Sequence, residues 1–198
     1  MKILAIGDLH GDLKQAKKLA EKAEKENVDL IILNGDFTLF EKHTPGLLQT
    51  FKDKGQKLLL LPGNHESPAT VDFLAKKYGA TNLHNYALSI KDIGIFGCGS
   101  ANIGVFQLPE DEILNSLRKG HNQIKDSKKK IMITHVHPDK TLASKIGFIG
   151  SKGVKQAIDE LKPDVALFAH IHEAEGIEET IGNTKIHCVG KKGKIIEV

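Results

Sequence analysis

The sequence predicts an α/β protein in which two β-sheets pack together and helices cover their outer faces. Short apolar runs that end in glycine or in polar residues are typical of buried strands, and amphipathic segments follow the first three of them. This alternation indicates parallel strands joined by crossover helices. A later pair of apolar runs around Lys91-Asp92 indicates a hairpin, and the tail reads as short strands joined by glycine turns.

Each predicted strand is a short apolar run that a turn signal ends. The four leucines at 58–61, for example, are typical of a strand buried on both faces, and Pro62-Gly63 must turn the chain after them. In chain order the predicted strands are 2–6, 29–33, 57–61, 87–90, 93–96, 130–134, 164–168 and, in the tail, roughly 176–181, 184–188 and 194–198.

The predicted helices lie between these strands. One apolar face at helical spacing marks the first helix through Leu13, Ala16, Leu19, Ala20 and Ala23. Helix-start signals place the others at 44 to about 51, from 67 onward, from 109 to about 118, and at 151–161. No linker, repeat or low-complexity segment interrupts the pattern, so we expect a single domain over residues 1–198.

Composition is that of an ordinary globular protein, and it neither indicates nor excludes a nucleic-acid partner. The chain of 198 residues is 40% hydrophobic and 27% charged with a formal net charge of +3, which demands neither a nucleic-acid nor a membrane partner. It has no 18-residue apolar span, and Cys98 and Cys188 lack metal-type spacing, so we expect a cytoplasmic protein with free thiols. Arg118 is the only arginine, which argues against arginine clamps for a substrate. A homo-oligomer is compatible with the sequence.

Polar side chains follow five of the predicted strands at the point where each strand ends. They are Asp8 and His10, then Asp36, then Asn64 and His65, then His135, and finally His170 and His172. Because the carboxyl ends of the strands form the ligand crevice of an open α/β sheet, we expect these side chains to meet at one edge. Imidazole with carboxylate suits Mn, Fe, Zn or Ni better than Mg, which indicates a two-metal site with Asp36 as the natural bridge. His170 and His172 would share one ion in an extended chain, or bind separate ions across a turn.

The same residues, taken in order, resemble the signature of the calcineurin-like metallophosphoesterase family. The matching blocks are Asp8-Leu9-His10, Gly35-Asp36, Gly63-Asn64-His65-Glu66, Thr134-His135 and His170-Ile171-His172. They span residues 8–172, and the tail is similar to the small prokaryotic branch that includes cyclic-nucleotide phosphodiesterase-like proteins. The resemblance implies a four-layer αββα fold and a metal-dependent phosphoesterase.

The resemblance also implies a role for each residue. Asp8, His10 and His172 would hold a first divalent metal ion, and Asn64, His135 and His170 a second. Asp36 would bridge the two ions, for which Mn²⁺ is the first choice and Fe, Zn or Ni the alternatives. His65 would stay off the metals and donate a proton to the leaving group of a small phosphoester substrate, after attack by metal-bound hydroxide.

Some roles and the substrate stay open at this point. Glu66 would orient a neighbour, cap the next helix or act in catalysis, His137 is a candidate for supporting a ligand or contacting substrate, and Asn102 for contacting substrate. The leading hypothesis is a phosphodiesterase. The alternatives are a phosphomonoesterase or nucleotide phosphatase with the same metal core, and a non-catalytic interaction module, which a lost ligand would indicate. Nuclease activity gains no support from the modest charge.

Overall fold

The computed structural model describes residues 1–146 and 148–198 and contains two mixed β-sheets. In spatial order the first sheet consists of β11 (Lys194–Glu197), β1 (Lys2–Ile6), β2 (Leu30–Asn34), β3 (Leu58–Leu61) and β4 (Thr81–Asn82). The neighbouring strands are parallel except for β11, which pairs antiparallel with β1. The parallel strands therefore point their carboxyl ends toward one edge of the sheet.

The second sheet is also mixed, but it has an antiparallel strand at each of its two edges. In spatial order it consists of β5 (Ala87–Ile90), β6 (Ile93–Cys98), β7 (Lys129–Thr134), β8 (Val165–Phe168), β10 (Thr184–Cys188) and β9 (Glu178–Ile181). The four central strands are parallel, and β5 and β9 run antiparallel to their neighbours. The predicted hairpin around Lys91-Asp92 is confirmed as the β5–β6 pair.

Helices cover the outer faces of both sheets. They are α1 (Leu13–Lys25), α2 (Leu47–Asp53), α3 (Pro68–Tyr78), α4 (Glu110–Gln123) and α5 (Lys152–Leu161). The α2 helix begins later than predicted because left-handed Gly46 is its N-cap, and α4 continues beyond Arg118 because Gly120 packs against Phe96 inside the helix. Within residues 1–146 and 148–198, each helix is too short or too polar to cross a membrane.

Three apolar layers hold the sheets and helices together. In β1, Ile3 and Ala5 face the second sheet, whereas Leu4 and Ile6 face the helices, as the period of two in a strand requires. The leucines of β3 divide in the same way between the two layers. A third layer lies between the second sheet and α4 and α5. The αββα prediction is confirmed; the single domain and the cytoplasmic location stay predictions.

Candidate metal centre

The polar residues that follow five strands meet where the carboxyl ends of the two sheets adjoin. Ligand-type atoms of Asp8, His10 and His172 all lie within 4.8 Å of one another, and so do those of Asp36, His135 and His170. A third such group contains His10, Asp36 and His65. The predicted ligands therefore form two clusters, which Asp36 and His10 link through this third group.

The first cluster has the geometry of a cation site. The Nε2 atoms of His10 and His172 are 3.1 Å apart, and His172 Nε2 lies 3.8 Å from Asp8 Oδ1. Asp8 is 1% exposed, and neither of its carboxylate oxygens has a hydrogen-bond partner among the described residues. Because a buried carboxylate without a partner is costly, these donors fit a bound metal ion.

The second cluster is oriented by the backbone of β2. His135 Nδ1 lies 2.9 Å from the Asn34 carbonyl oxygen, which only accepts, so Nδ1 donates its proton there. His135 Nε2 then faces Asn64 Oδ1 at 3.2 Å and Asp36 Oδ2 at 3.5 Å. A carbonyl that fixes the other ring nitrogen in this way is typical of metal-ligating histidines. The amide oxygen of Asn64 therefore lies beside the second cluster, and its role as a metal ligand stays a prediction.

Asp36 lies between the clusters. Its Oδ2 is 4.0 Å from His10 Nε2 and 3.5 Å from His135 Nε2, and its Oδ1 accepts a hydrogen bond from the His65 backbone N–H at 3.0 Å. Burial would raise the pKa of Asp36, but His135 and His65 outweigh burial and hold that pKa well below its ordinary value. The carboxylate is thus ionised and placed for the predicted bridging role.

The imidazoles differ in their readiness to bind a cation. Burial lowers the pKa of His10 to about 4 and that of His170 to about 3, so both are neutral near neutral pH. Burial would also lower the pKa of His135, but the Asp36 charge outweighs it and raises that pKa to about 9. A metal ion bound by His135 would therefore have to displace a proton from Nε2.

His65 stands at the margin of the clusters. Its Nε2 lies 3.8 Å from Asp36 Oδ2, and its ring centroid is 4.7 Å from that of His10. The ring of Phe40 stacks on that of His65 at a centroid distance of 4.1 Å and an angle of 19°. Since His65 shares a group with His10 and Asp36, both a proton-donor and a ligand role fit the geometry. The donor role stays a prediction.

The backbone of the centre is strained in a way that the sequence analysis missed. Asp8, His10, Asp36 and His170 all have positive φ, between 45° and 72°. Such residues cost about 1–3 kcal/mol each and cluster at functional sites. The glycines beside these residues were the available signal. A Cβ at Gly35 would lie 2.2 Å from His135 Nδ1, and one at Gly63 2.0 Å from Asp36 Oδ1, so glycine alone permits this close approach.

Glu66 joins the loops that follow β2 and β3. It is fully buried, and its Oε2 accepts hydrogen bonds from the backbone N–H groups of Asp36 and Gly63. Its Oε1 accepts from the backbone N–H and the hydroxyl of Thr38. The cap of α3 is Ser67, which accepts from the Thr70 N–H. Of the roles left open by the sequence, the contacts favour the orientation of neighbouring residues.

We expect the substitution Glu66→Gln to lower the free energy of unfolding of the metal-free protein by about 1–3 kcal/mol. Burial, followed by the Asp36 charge, already raises the pKa of Glu66 to about 7. The side-chain NH₂ of glutamine is a donor, so it would face at least one buried backbone N–H, which would then lose its acceptor. Urea unfolding measures the change, with exposed Glu21→Gln as the matched control. A loss no larger than that of the control, about 0.5 kcal/mol or less, would refute the orienting role.

Three other residues considered from the sequence lie outside the clusters. His137 Nε2 donates toward the Phe148 carbonyl at 3.3 Å, and its ring is stacked 6.5 Å from that of His170. The side-chain amide of Asn102 donates to Glu110 and to the Gly150 carbonyl, so it ties two loops together. Arg118 forms a bidentate ion pair with Glu160. These contacts support His137 and Asn102 as residues that hold the loops around the centre.

A cleft of about 770 Å³ lies elsewhere on the protein. It is lined near the amino ends of β7 and β8 by Lys129 and Asp164, which pair at 2.9 Å, and by Glu178 and Lys194, which also pair. The metal clusters lie at the carboxyl ends of these strands. We therefore assign the chemistry to the clusters rather than to this cleft.

Comparisons with known proteins agree with this geometry. The family model for calcineurin-like phosphoesterases matches residues 1–174. No curated protein gives a significant match. The protein TT1561 of Thermus thermophilus has a similar structure with a TM-score of 0.77 and 18% identity, covering 96% of this chain and 90% of that one.

Two further solved structures share the fold. One is described as a novel archaeal phosphodiesterase, with a TM-score of 0.58 and 18% identity over 96% of this chain and 84% of that one. The other is a dimetal phosphatase from Danio rerio, with a TM-score of 0.67 and 11% identity over 96% of this chain and 88% of that one. At these identities the structures show the fold, whereas the family model covers most of the chain. The chain belongs to the calcineurin-like phosphoesterase family and is a metal-dependent phosphoester hydrolase.

Proposed function

We propose that this chain hydrolyses phosphodiester bonds in small substrates with two divalent metal ions. The observation that carries the proposal is the pair of Asp/His clusters that Asp36 links, one of them containing the buried, unpartnered carboxylate of Asp8. Two ions about 3.5–4 Å apart would polarise phosphate oxygens and activate a water molecule as the nucleophile.

Each side chain has one role in this proposal. Asp8, His10 and His172 would hold the first ion. Asn64, His135 and His170 would hold the second ion, and Asp36 would be shared by both. His65, whose ring stacks on that of Phe40 and has its centroid 4.7 Å from that of His10, donates the proton that the leaving oxygen needs. A serine or cysteine nucleophile is not required, because water performs the attack.

The preference for diesters follows from the charge around the centre. A phosphomonoester dianion carries one more negative charge than a diester, and arginine is well suited to grip it in a bidentate manner. The only arginine, Arg118, is paired with Glu160 away from the clusters.

Mn²⁺ is the ion that we propose for both sites. The donors are imidazole nitrogens with carboxylate and amide oxygens, a mixture that suits Mn²⁺, Fe, Zn²⁺ or Ni²⁺ better than the all-oxygen sites of Mg²⁺. The two cysteines are buried and belong to neither cluster. Thiolate-dependent metal preferences therefore do not apply at this centre.

A substrate panel tests this function. The protein reconstituted with Mn²⁺ is assayed on bis-nitrophenyl phosphate, nitrophenyl phosphate, 2′,3′- and 3′,5′-cyclic nucleotides and single-stranded DNA. We expect the highest kcat/KM on a small diester. Asp36→Asn, purified in parallel, controls for contaminating phosphatases. A monoester turned over faster than every diester at equal metal loading would replace the diesterase with the phosphomonoesterase alternative.

A further inference from the structure

Exposed apolar side chains are concentrated in three loops beside the metal centre. We define the apolar rim as Leu39, Phe40, Ile103, Val105, Phe148 and Ile149. These are six of the ten large hydrophobic side chains that are exposed in the described part of the chain, and their exposed fractions run from 46% to 79%. Exposed apolar side chains that cluster in this way mark binding surfaces more often than isolated ones do.

The first of the three loops lies against the proposed proton donor. Phe40 stacks its ring on His65, with 4.1 Å between the centroids, yet remains 60% exposed. The backbone N–H of Glu41 donates to the His65 carbonyl at 2.8 Å. One face of the Phe40 ring thus orients His65 while much of the side chain stays available to a ligand.

The second and third loops lie against metal-ligand positions. The backbone N–H of Phe106 donates to the Asn64 carbonyl at 3.2 Å, and a Cβ at Gly104 would come within 2.8 Å of Asn64 Cβ. The Phe148 carbonyl accepts from His137, whose ring stacks with His170. Asn102 connects these two loops by donating to the Gly150 carbonyl at 3.4 Å. The rim is therefore fixed to the same residues that hold the phosphate site.

We infer that the apolar rim binds an alkyl or acyl chain of the substrate, so that the natural substrate is an amphiphilic phosphoester. This inference rests on the proposed function, because the metal clusters must hold the phosphate. An organic group attached to that phosphate then extends past His65 and Asn64 toward the rim. Leucine, isoleucine and valine side chains contribute by removing apolar surface from water, which favours a chain of methylenes over a polar nucleoside.

A second copy of this chain is the other occupant that an apolar surface could take. A copy seated on the rim would cover Phe40, which stacks on His65, and would obstruct the approach of a substrate to the proposed proton donor. The position of the rim beside the centre therefore favours substrate, and the experiment below distinguishes the two.

Binding of alkylphosphonates tests the inference without any turnover. Methyl-, butyl- and octylphosphonate are titrated calorimetrically, below their micellar concentrations, into the Mn²⁺-loaded protein. Each methylene that is buried strengthens binding by up to about fourfold. Since the rim is open, we expect a fall in Kd of at least about tenfold from methyl to octyl. The double variant Ile103→Ser/Val105→Ser should flatten this dependence. Phe73→Ser, which changes an equally exposed side chain on α3, should retain it.

Every outcome bears on the rim. A flat series in the unchanged protein, or a dependence that survives the double variant, would overturn the inference. A dimer of the unchanged protein that the double variant converts to a monomer would assign the rim to contact between copies. Because phosphonates are not hydrolysed, a chain-length dependence together with a failed diester panel would revise the proposed function and leave the rim assignment standing. Diester hydrolysis together with a flat phosphonate series would overturn the rim assignment and leave the proposed function standing.

Discussion

The substitution Asp36→Asn is expected to remove both metal ions and to lower phosphoesterase activity by about 100-fold or more. Changes to groups that merely support a metal ligand cost about 10–100-fold, and a shared ligand contributes at least as much. Asparagine keeps the oxygen that accepts from the His65 N–H at 3.0 Å but loses the charge near His10 and His135. The variant therefore isolates the bridging charge from the local loop structure.

Elemental analysis after gel filtration measures this result. His172→Ala, which changes one member of the first cluster, should retain the second ion and so lose about half of the bound metal. The exposed carboxylate of Asp53 provides the matched control Asp53→Asn, which should keep both ions. Retention of both ions by Asp36→Asn would refute the assignment of Asp36 as the bridging ligand.

The substitution His65→Ala is expected to keep both ions and lose activity in a manner that depends on the leaving group. General acid catalysis contributes about 10²–10⁴-fold when the departing oxygen is a basic alkoxide. A nitrophenolate departs without a proton, so the loss of activity on bis-nitrophenyl phosphate should be much smaller. The ratio of kcat/KM on an alkyl diester to that on bis-nitrophenyl phosphate should therefore fall sharply in the variant.

The ring of Phe40 stacks on that of His65 and fixes its position. A second variant at Phe40 therefore tests how much the position of His65 matters. Phe40→Leu keeps an apolar side chain but loses this stack, so it should lower the same kcat/KM ratio in the same direction as His65→Ala and by a smaller factor. Equal losses on the two substrates for His65→Ala, or loss of an ion, would assign His65 to positioning or to metal binding instead.

Much of this fold could be predicted from the sequence because strands and turns are encoded locally. The run of four leucines in β3 is buried on both faces, since one pair faces the helices and the other faces the second sheet. Ser67 caps α3 directly before Pro68, as the local signal predicted. Parallel strands then bring their carboxyl ends together, which is why residues as distant as Asp8 and His172 could be placed in one site.

The remaining features depend on contacts between distant residues. Glu66 hydrogen-bonds the backbone of Asp36 and Thr38, and neither contact follows from periodicity. Gly120 has the appearance of a helix stop, but its contact with Phe96 places it within α4. The rim lies in loops whose path is set by such contacts as that of Phe106 with the Asn64 carbonyl. Local sequence signals carry no information on these pairings.

The central claim is that two metal ions share Asp36 at the ends of the strands. Crystals of the protein grown with Mn²⁺ test it through the anomalous scattering of manganese. We expect two peaks about 3.5–4 Å apart. One should be contacted by Asp8, His10 and His172, the other by Asn64, His135 and His170, and both by Asp36. A single peak, or two peaks of which only one contacts Asp36, would contradict the account.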